Sequence, residues 1–219
     1  MTRSLAVLRP EPGNAATVAR IEARGLTAIR LPLFEMRALD WTPPEPADFD
    51  ALFLTSANAV RLAGPGLGVL AGIPVHAVGE ATAAAARAAG LKVVAKGAGD
   101  GAALVASAAI AGVKRALLLS GRDRMLDAGG IIARAIAVYA SDPVPAPDLS
   151  VLAGTIALLH TARAAQRHDD LTRPARADIG LAVLSPAVAA AAGTGWHRLV
   201  IAACPTDDAL LDAAQPLAD

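Results

Sequence analysis

Three stretches of the chain recur at one spacing. FDALFLTSANAVRL (49–62) returns as GTIALLHTARAAQRH (154–168), which sets Thr55 and Thr161 106 positions apart. AVGEATAAAARAAG, from Ala77, returns as VLSPAVAAAAGTG, from Val183, and so sets Gly79 against Ser185. GDGAALVAS sets Leu104 against Leu210 of PTDDALLDA at the same spacing. An Ala-rich chain gives chance matches, but not three at one offset. The spacing predicts an internal duplication, with two related halves of about 100 residues, near the commonest domain size. On spacing alone the simplest division is a tandem cut near residue 112.

Short apolar runs alternate with helical stretches. SLAVL (4–8), TAIRLPLFEM (27–36), ALFLT (51–55), IPVHAVG (73–79), LKVVAK (91–96), RALLLSG (115–121), TIALLHT, GLAVLS and LVIAA read as strands. Each is apolar throughout rather than alternating, as burial on both faces requires. Asn14, Ser56 and Asp100 are placed to cap the helices that follow. The 41–49 stretch, with three prolines, and the Gly-rich 64–72 stretch read as loops. After Gly129-Gly130 the chain reads as a strand over 132–140, with a short helix over 130–136 as the alternative. Strands alternating with helices give parallel α/β sheets covered on both faces. No Gly-x-Gly-x-x-Gly follows the first strand, GAGDG (97–101) has neither its spacing nor its context, and no P-loop is present.

Composition removes several classes of function. Twenty basic and twenty acidic residues cancel, whereas a nucleic-acid binder needs a basic field. Three Phe, two Trp and one Tyr are too few for base stacking. The single cysteine, Cys204, excludes an internal disulfide and a Cys-based metal cluster and suggests a reducing compartment. Its place at a strand end predicts burial. The four His are scattered without metal-ligand spacing. MTRSLAVLRPEPGN is not a signal peptide, and no run approaches the roughly 18 apolar residues of a membrane helix. The expectation is a cytoplasmic protein with no nucleic-acid, membrane or metal partner.

In parallel sheets ligands bind where strands end and helices begin. Those positions are Arg9; Thr55, Ser56 and Asn58; Gly79, Glu80 and Thr82; Ser120, Gly121, Arg122 and Arg124; His160, Thr161 and Arg163; and Ser185 with Pro186. Hydroxyls and free backbone N–H groups at helix starts suit carboxylates or phosphates, and Arg can pair with a carboxylate through two hydrogen bonds. Blander readings compete. Ser56 and Thr82 are also ordinary cap or first-turn residues, Arg122 and Arg124 a solvated turn, and Tyr139 an amphipathic residue at a domain edge. Asp169-Asp170 and Asp207-Asp208 read as loop and helix-start charges.

The order and spacing of RP (9–10), FDALFLTSANAV (49–60), VGEATAAAARAAG (78–90), LLLSGRDR (117–124), VY (138–139), Ser-Pro (185–186) and PTDDALL (205–211) resemble the uroporphyrinogen-III synthase family, over about residues 3–214. The resemblance implies two similar α/β domains joined by a two-stranded linker, with a cleft between them. One domain would be 1–34 plus 143–219 and the other 38–138, with linker strands at 35–37 and 139–142. It implies cyclisation of hydroxymethylbilane with inversion of ring D and loss of water, without metal or organic cofactor. It also makes Tyr139 the candidate acid near the departing hydroxyl, with the strand-end residues (Arg9, Thr55, Ser56, Asn58, Gly79, Glu80, Thr82, Ser120, Gly121, Arg122, Arg124, Thr161, Arg163 and Ser185) binding the substrate. The expected partners are a linear tetrapyrrole and, transiently, the deaminase that makes it. The expected state is a monomer. The sequence departs from the family's usual pattern at Leu8 and at Ala187-Val188, where threonines are common. A non-catalytic two-domain binder of a small polycarboxylate or tetrapyrrole is the alternative reading.

Overall fold

A computed structural model describes residues 2–97 and 100–218. Ala98 and Gly99, inside the GAGDG stretch, lie outside the described residues. The chain divides into two compact units, Met1–Glu35 with Asp142–Asp219 (unit 1) and Met36–Ser141 (unit 2). The tandem cut near 112 is therefore wrong.

Unit 1 holds strands β1 (Leu5–Val7), β2 (Ala28–Arg30), β9 (Ile156–Leu159), β10 (Gly180–Val183) and β11 (Arg198–Ile201), with helices α1 (Gly13–Ala23), α6 (Ala162–Thr172), α7 (Pro186–Ala192) and α8 (Asp207–Ala218). Unit 2 holds β4 (Ala51–Leu54), β5 (Val75–Ala77), β6 (Val93–Lys96) and β7 (Ala116–Gly121), with α2 (Ala57–Leu62), α3 (Gly66–Val69), α4 (Glu80–Ala88) and α5 (Gly101–Ile110). β3 (Phe34–Ala38) and β8 (Ile132–Pro143) complete its sheet and carry the chain across the unit boundaries. The strand orders are β11-β10-β9-β1-β2 and β6-β5-β4-β7-β8-β3. Read outward from β9 and β4, the first five strands match one for one. The counterparts of β7 and β8 are β1 and β2, at the start of the chain, which is why a tandem cut fails.

Burial on both faces follows from the apolar runs. In β4, Leu52 and Leu54 enter one core cluster, and Ala51 and Phe53 the other. In β9, Ala157 and Leu159 face one core, Ile156 and Leu158 the other. Successive side chains of a strand point to opposite faces, so a run of four apolar residues supplies both layers. Phe53, fully buried, illustrates the magnitude: truncation to Ala in such a core costs about 3–5 kcal/mol.

The local readings hold with four corrections. LKVVAK and LVIAA are not doubly buried, because β6 and β11 stand at sheet edges and hold no buried residue. TAIRLPLFEM is not one strand, because Pro32 lacks the N–H that a ladder needs; β2 stops at Arg30 and β3 begins at Phe34 in the other sheet. Asn14 does not cap α1. It lies inside the helix, fully buried, and its amide donates to Val7 O (2.8 Å) and Arg9 O (3.0 Å) beyond the end of β1. The Gly-rich 64–72 stretch contains the short helix α3. Ser56 and Asp100 cap their helices as expected, accepting from Asn58 N and Ala102 N. Among the described residues no helix is long and apolar enough to cross a membrane.

Candidate active site

The C-terminal ends of β4 and β7 in unit 2 border a cavity of about 240 Å³. Thr55, Ser56, Ser120, Gly121, Arg124 and Tyr139 line it. All six are residues that the sequence singles out. β4 and β7 run side by side with Leu54 opposite Leu119, so Thr55 and Ser120 leave their strands together. β8 pairs with β7 and sets Tyr139 against Gly121. Tyr139 lines the space, and its hydroxyl makes no hydrogen bond among the described residues. Ser56 Oγ is occupied by the Asn58 amide at 3.1 Å and Ser120 Oγ by Gly121 O at 3.2 Å. Arg124 reaches Asp127 through Nε at 2.7 Å. Leu118, Val78 and Leu126 give the cavity an apolar floor, and Leu126 packs where Gly101 has no side chain. Sequence reasoning missed these three, because apolar lining residues resemble core residues, and it also missed Gly101, Asp123 and Met125, which complete the lining.

The corresponding edge of unit 1 is built differently. Arg9 donates to Asp207 Oδ1 at 2.9 Å and to Thr17 Oγ1 at 3.4 Å. Thr17 donates to Asp207 Oδ2 at 2.7 Å, and His160 Nε2 donates to Asp207 Oδ1 at 2.9 Å. Burial alone would raise the Asp207 carboxyl, but the hydrogen bonds from His160 and Thr17 and the attraction of His160 and Arg9 hold it well below the usual carboxylate range. Gly13 leaves room for the Arg9 guanidinium, against which a Cβ there would press. Arg9 thus faces an internal carboxylate instead of open space. Asp207 does start a helix, as expected, yet its side chain is the hub of this network.

The remaining strand-end residues lie apart from the cavity. Thr161 and Ser185 cap α6 and α7. Arg163 stacks over the Phe34 ring at 4.5 Å, beside a groove of about 410 Å³ in unit 1 that Arg167 and Leu171 also line. Asn58 accepts from Arg61. Gly79 precedes α4, and Glu80 binds Lys96 (2.6 Å) and Arg87 (3.2 Å), which together hold its carboxyl low. Thr82 is buried in α4 and is not among the residues that line the cavity. Arg122 lies next in the chain to the cavity residues, and its backbone N–H donates to Tyr139 O at 2.8 Å.

Two further expectations fail. Cys204 is exposed, because β11 ends at Ile201 and the thiol lies in the turn beyond, 3.5 Å from Thr206 Oγ1. Asp169 is not a loop charge. It is buried in α6 and paired with Arg176 and Arg173. Among the described residues no group of three or more His, Cys, Asp or Glu could hold a metal ion.

A family model described as uroporphyrinogen-III synthase HemD matches residues 15–212. The fold resembles a crystal structure of uroporphyrinogen-III synthetase from Helicobacter pylori, at 16% identity over 98% of this chain and 99% of that one, with a TM-score of 0.64. It also resembles a mutant uroporphyrinogen III synthase from Thermus thermophilus, at 16% identity over 95% and 96% of the two chains, with a TM-score of 0.52. At such identity the structures speak for the mixed α/β fold with parallel sheets. No curated protein sequence matches the chain.

Proposed function

The chain belongs to the uroporphyrinogen-III synthase family, and we propose that the unit-2 cavity is where it handles the departing hydroxyl of its linear tetrapyrrole, with Tyr139 as proton donor. The enzyme is a cyclising lyase that closes hydroxymethylbilane with inversion of ring D and loss of water. The observation that carries the assignment of the site is Tyr139, whose hydroxyl is unbonded among the described residues, lining a cavity together with Thr55, Ser56 and Ser120.

The chemistry asks for little more. The C–O bond of the hydroxymethyl group breaks with its electron pair going to oxygen, and the Tyr139 proton completes a water molecule. The cationic azafulvene left behind is attacked by ring D through its substituted carbon. Inversion then requires the old bond from that carbon to break and the free α-carbon of ring D to bond in its place. The proton lost from that carbon returns to the phenolate, so the sum is loss of one water. General acid assistance of this kind contributes about 10²–10⁴ in rate, and holding a flexible chain in the folded conformer contributes several kcal/mol more. In this reading Thr55, Ser56 and Arg124, which line the cavity, and Arg122, next to them in the chain, receive carboxylate arms.

The matching strand orders support reading the two sheets as an internal duplication, with β3 and β8 as the two-stranded linker.

The test is product analysis. Hydroxymethylbilane is made in place from porphobilinogen by a deaminase, this protein is added, and the oxidised porphyrin isomers are separated. Spontaneous closure gives the type I isomer. Type III is expected. Type I alone, from folded protein, would reject the enzyme and favour a non-catalytic binder. In the same assay Tyr139→Phe should slow turnover by about 100-fold while product binding holds. Equal loss of both would remove the acid role.

A further inference from the structure

We propose that Gly121 is a positioning residue for this reaction, the absence of a side chain there fixing where the Tyr139 hydroxyl stands. The inference rests on the assignment of Tyr139 as proton donor.

Gly121 and Tyr139 are partners across β7 and β8, at a point where the register shifts between Ser120 and Gly121. A Cβ on residue 121 would lie 2.9 Å from Tyr139 Cζ, 3.1 Å from Cε2 and 3.1 Å from the hydroxyl oxygen. These are the reactive end of the side chain, and the distances are too short for an ordinary carbon contact. The backbone gives no other reason for glycine here, since Gly121 is not among the glycines with positive φ. Glycine inside a strand weakens it and often marks close approach of another group. Here that group is the phenol. The ring also packs against the buried cluster of Leu117, Leu119 and Val138, so a methyl group at 121 would push the hydroxyl away from its place at the cavity wall. Ser120 and Thr55 would stay where they are, so the acid would shift relative to the groups that hold the substrate.

The experiment is a double-mutant cycle with Gly121→Ala and Tyr139→Phe, read by steady-state kinetics and isomer ratio. Gly121→Ala should lower kcat about 10-fold, with KM changed less than about twofold, because misplacement of about 1 Å costs up to 100-fold. More type I product should appear, as spontaneous closure competes. In the Tyr139→Phe background the same substitution should lower kcat by less than about twofold, since no hydroxyl remains to be displaced. Thermal unfolding of each variant separates this from a loss of folded protein, and the Phe background reports on the structural cost alone. Wild-type kcat in Gly121→Ala, or an equal loss in both backgrounds, overturns the inference. If Tyr139→Phe is itself as fast as wild type, the acid role fails first, and the positioning role falls with it.

Discussion

The two sheets share a strand order but finish their C-terminal edges in opposite ways. At the end of β9 stands His160, and at the end of β4 stands Thr55. Arg9 lies two residues past Val7, which pairs with Leu158; Ser120 lies two residues past Leu118, which pairs with Phe53. α8 opens with Asp207 and α5 with Gly101. Unit 1 therefore places three large polar side chains where unit 2 has a threonine, a serine and a glycine. The large set satisfies itself through Thr17 and closes the edge. The small set leaves a cavity with an uncommitted phenol beside it. Similar scaffolds can thus be divided between a stabilised edge and an open one by side-chain volume and charge at three positions.

The strongest test of that contrast removes the hub of the closed edge. Asp207→Ala leaves Arg9 and His160 without their acceptor and should cost about 3 kcal/mol, the low end for a broken buried pair because Arg9 keeps contact with water. Urea denaturation reads it, and a loss below about 1 kcal/mol would mean the network is ornamental. At the open edge Tyr139→Phe, though slow in turnover, should leave stability within about 0.5 kcal/mol, since the hydroxyl it removes has no partner among the described residues; calorimetry decides.

A smaller effect follows from pH, and its largest source lies in unit 1, although burial also lowers the pKa of His76 in unit 2. His168 is fully buried, stacked on Trp196 at 5.0 Å, and neither ring nitrogen has a partner among the described residues. Burial, aided by the Arg176 charge, lowers its pKa to about 4. The folded chain then binds fewer protons than the unfolded one below the ordinary value near 6.5, so stability is complete above that value and falls as pH falls towards 4. About 2 kcal/mol should be lost between pH 7 and pH 5. His168→Phe should flatten that slope, whereas an unchanged slope would place the titration elsewhere. The Asp207 window lies lower, because a depressed carboxyl loses its contribution only below the usual carboxylate range.

Smallest is the cap at the open edge. Ser56→Ala removes the acceptor for Asn58 N–H and should cost about 1 kcal/mol. If Ser56 also meets the substrate, KM rises several-fold in the same variant; a stability loss with unchanged KM would leave it a cap only.

The caps and strands were legible because their causes are local. Ser56 and Asp100 precede their helices in the way short polar acceptors must, and ALFL or IALL, short apolar runs ended by turn and cap residues, fit doubly buried strands. The repeated stretches fall on elements at matching places in the two sheets, but imperfectly. An offset of 106 aligns Thr55 with Thr161, whereas the residues that cap α2 and α6 are Ser56 and Thr161, one position closer. From β5 and β10 onward the offset of 106 holds, with Gly79 and Ser185 preceding their helices. A sequence match follows similar letters; a cap follows hydrogen-bond geometry.

By itself, the sequence determined the α/β class, the alternation of elements, the family likeness and half of the residues at the cavity wall. These depend on periodicity, turn chemistry and motif spacing, all short-range. Only the tertiary structure decided that Arg9 is held by Asp207, 198 positions away, that Asp169 is buried, that Cys204 is exposed, and that Gly121 stands against the ring of Tyr139. Such facts depend on which strand ends share an edge and on what fills the space between them. No local propensity encodes that, because the same Arg or Gly fits equally well in a solvated turn.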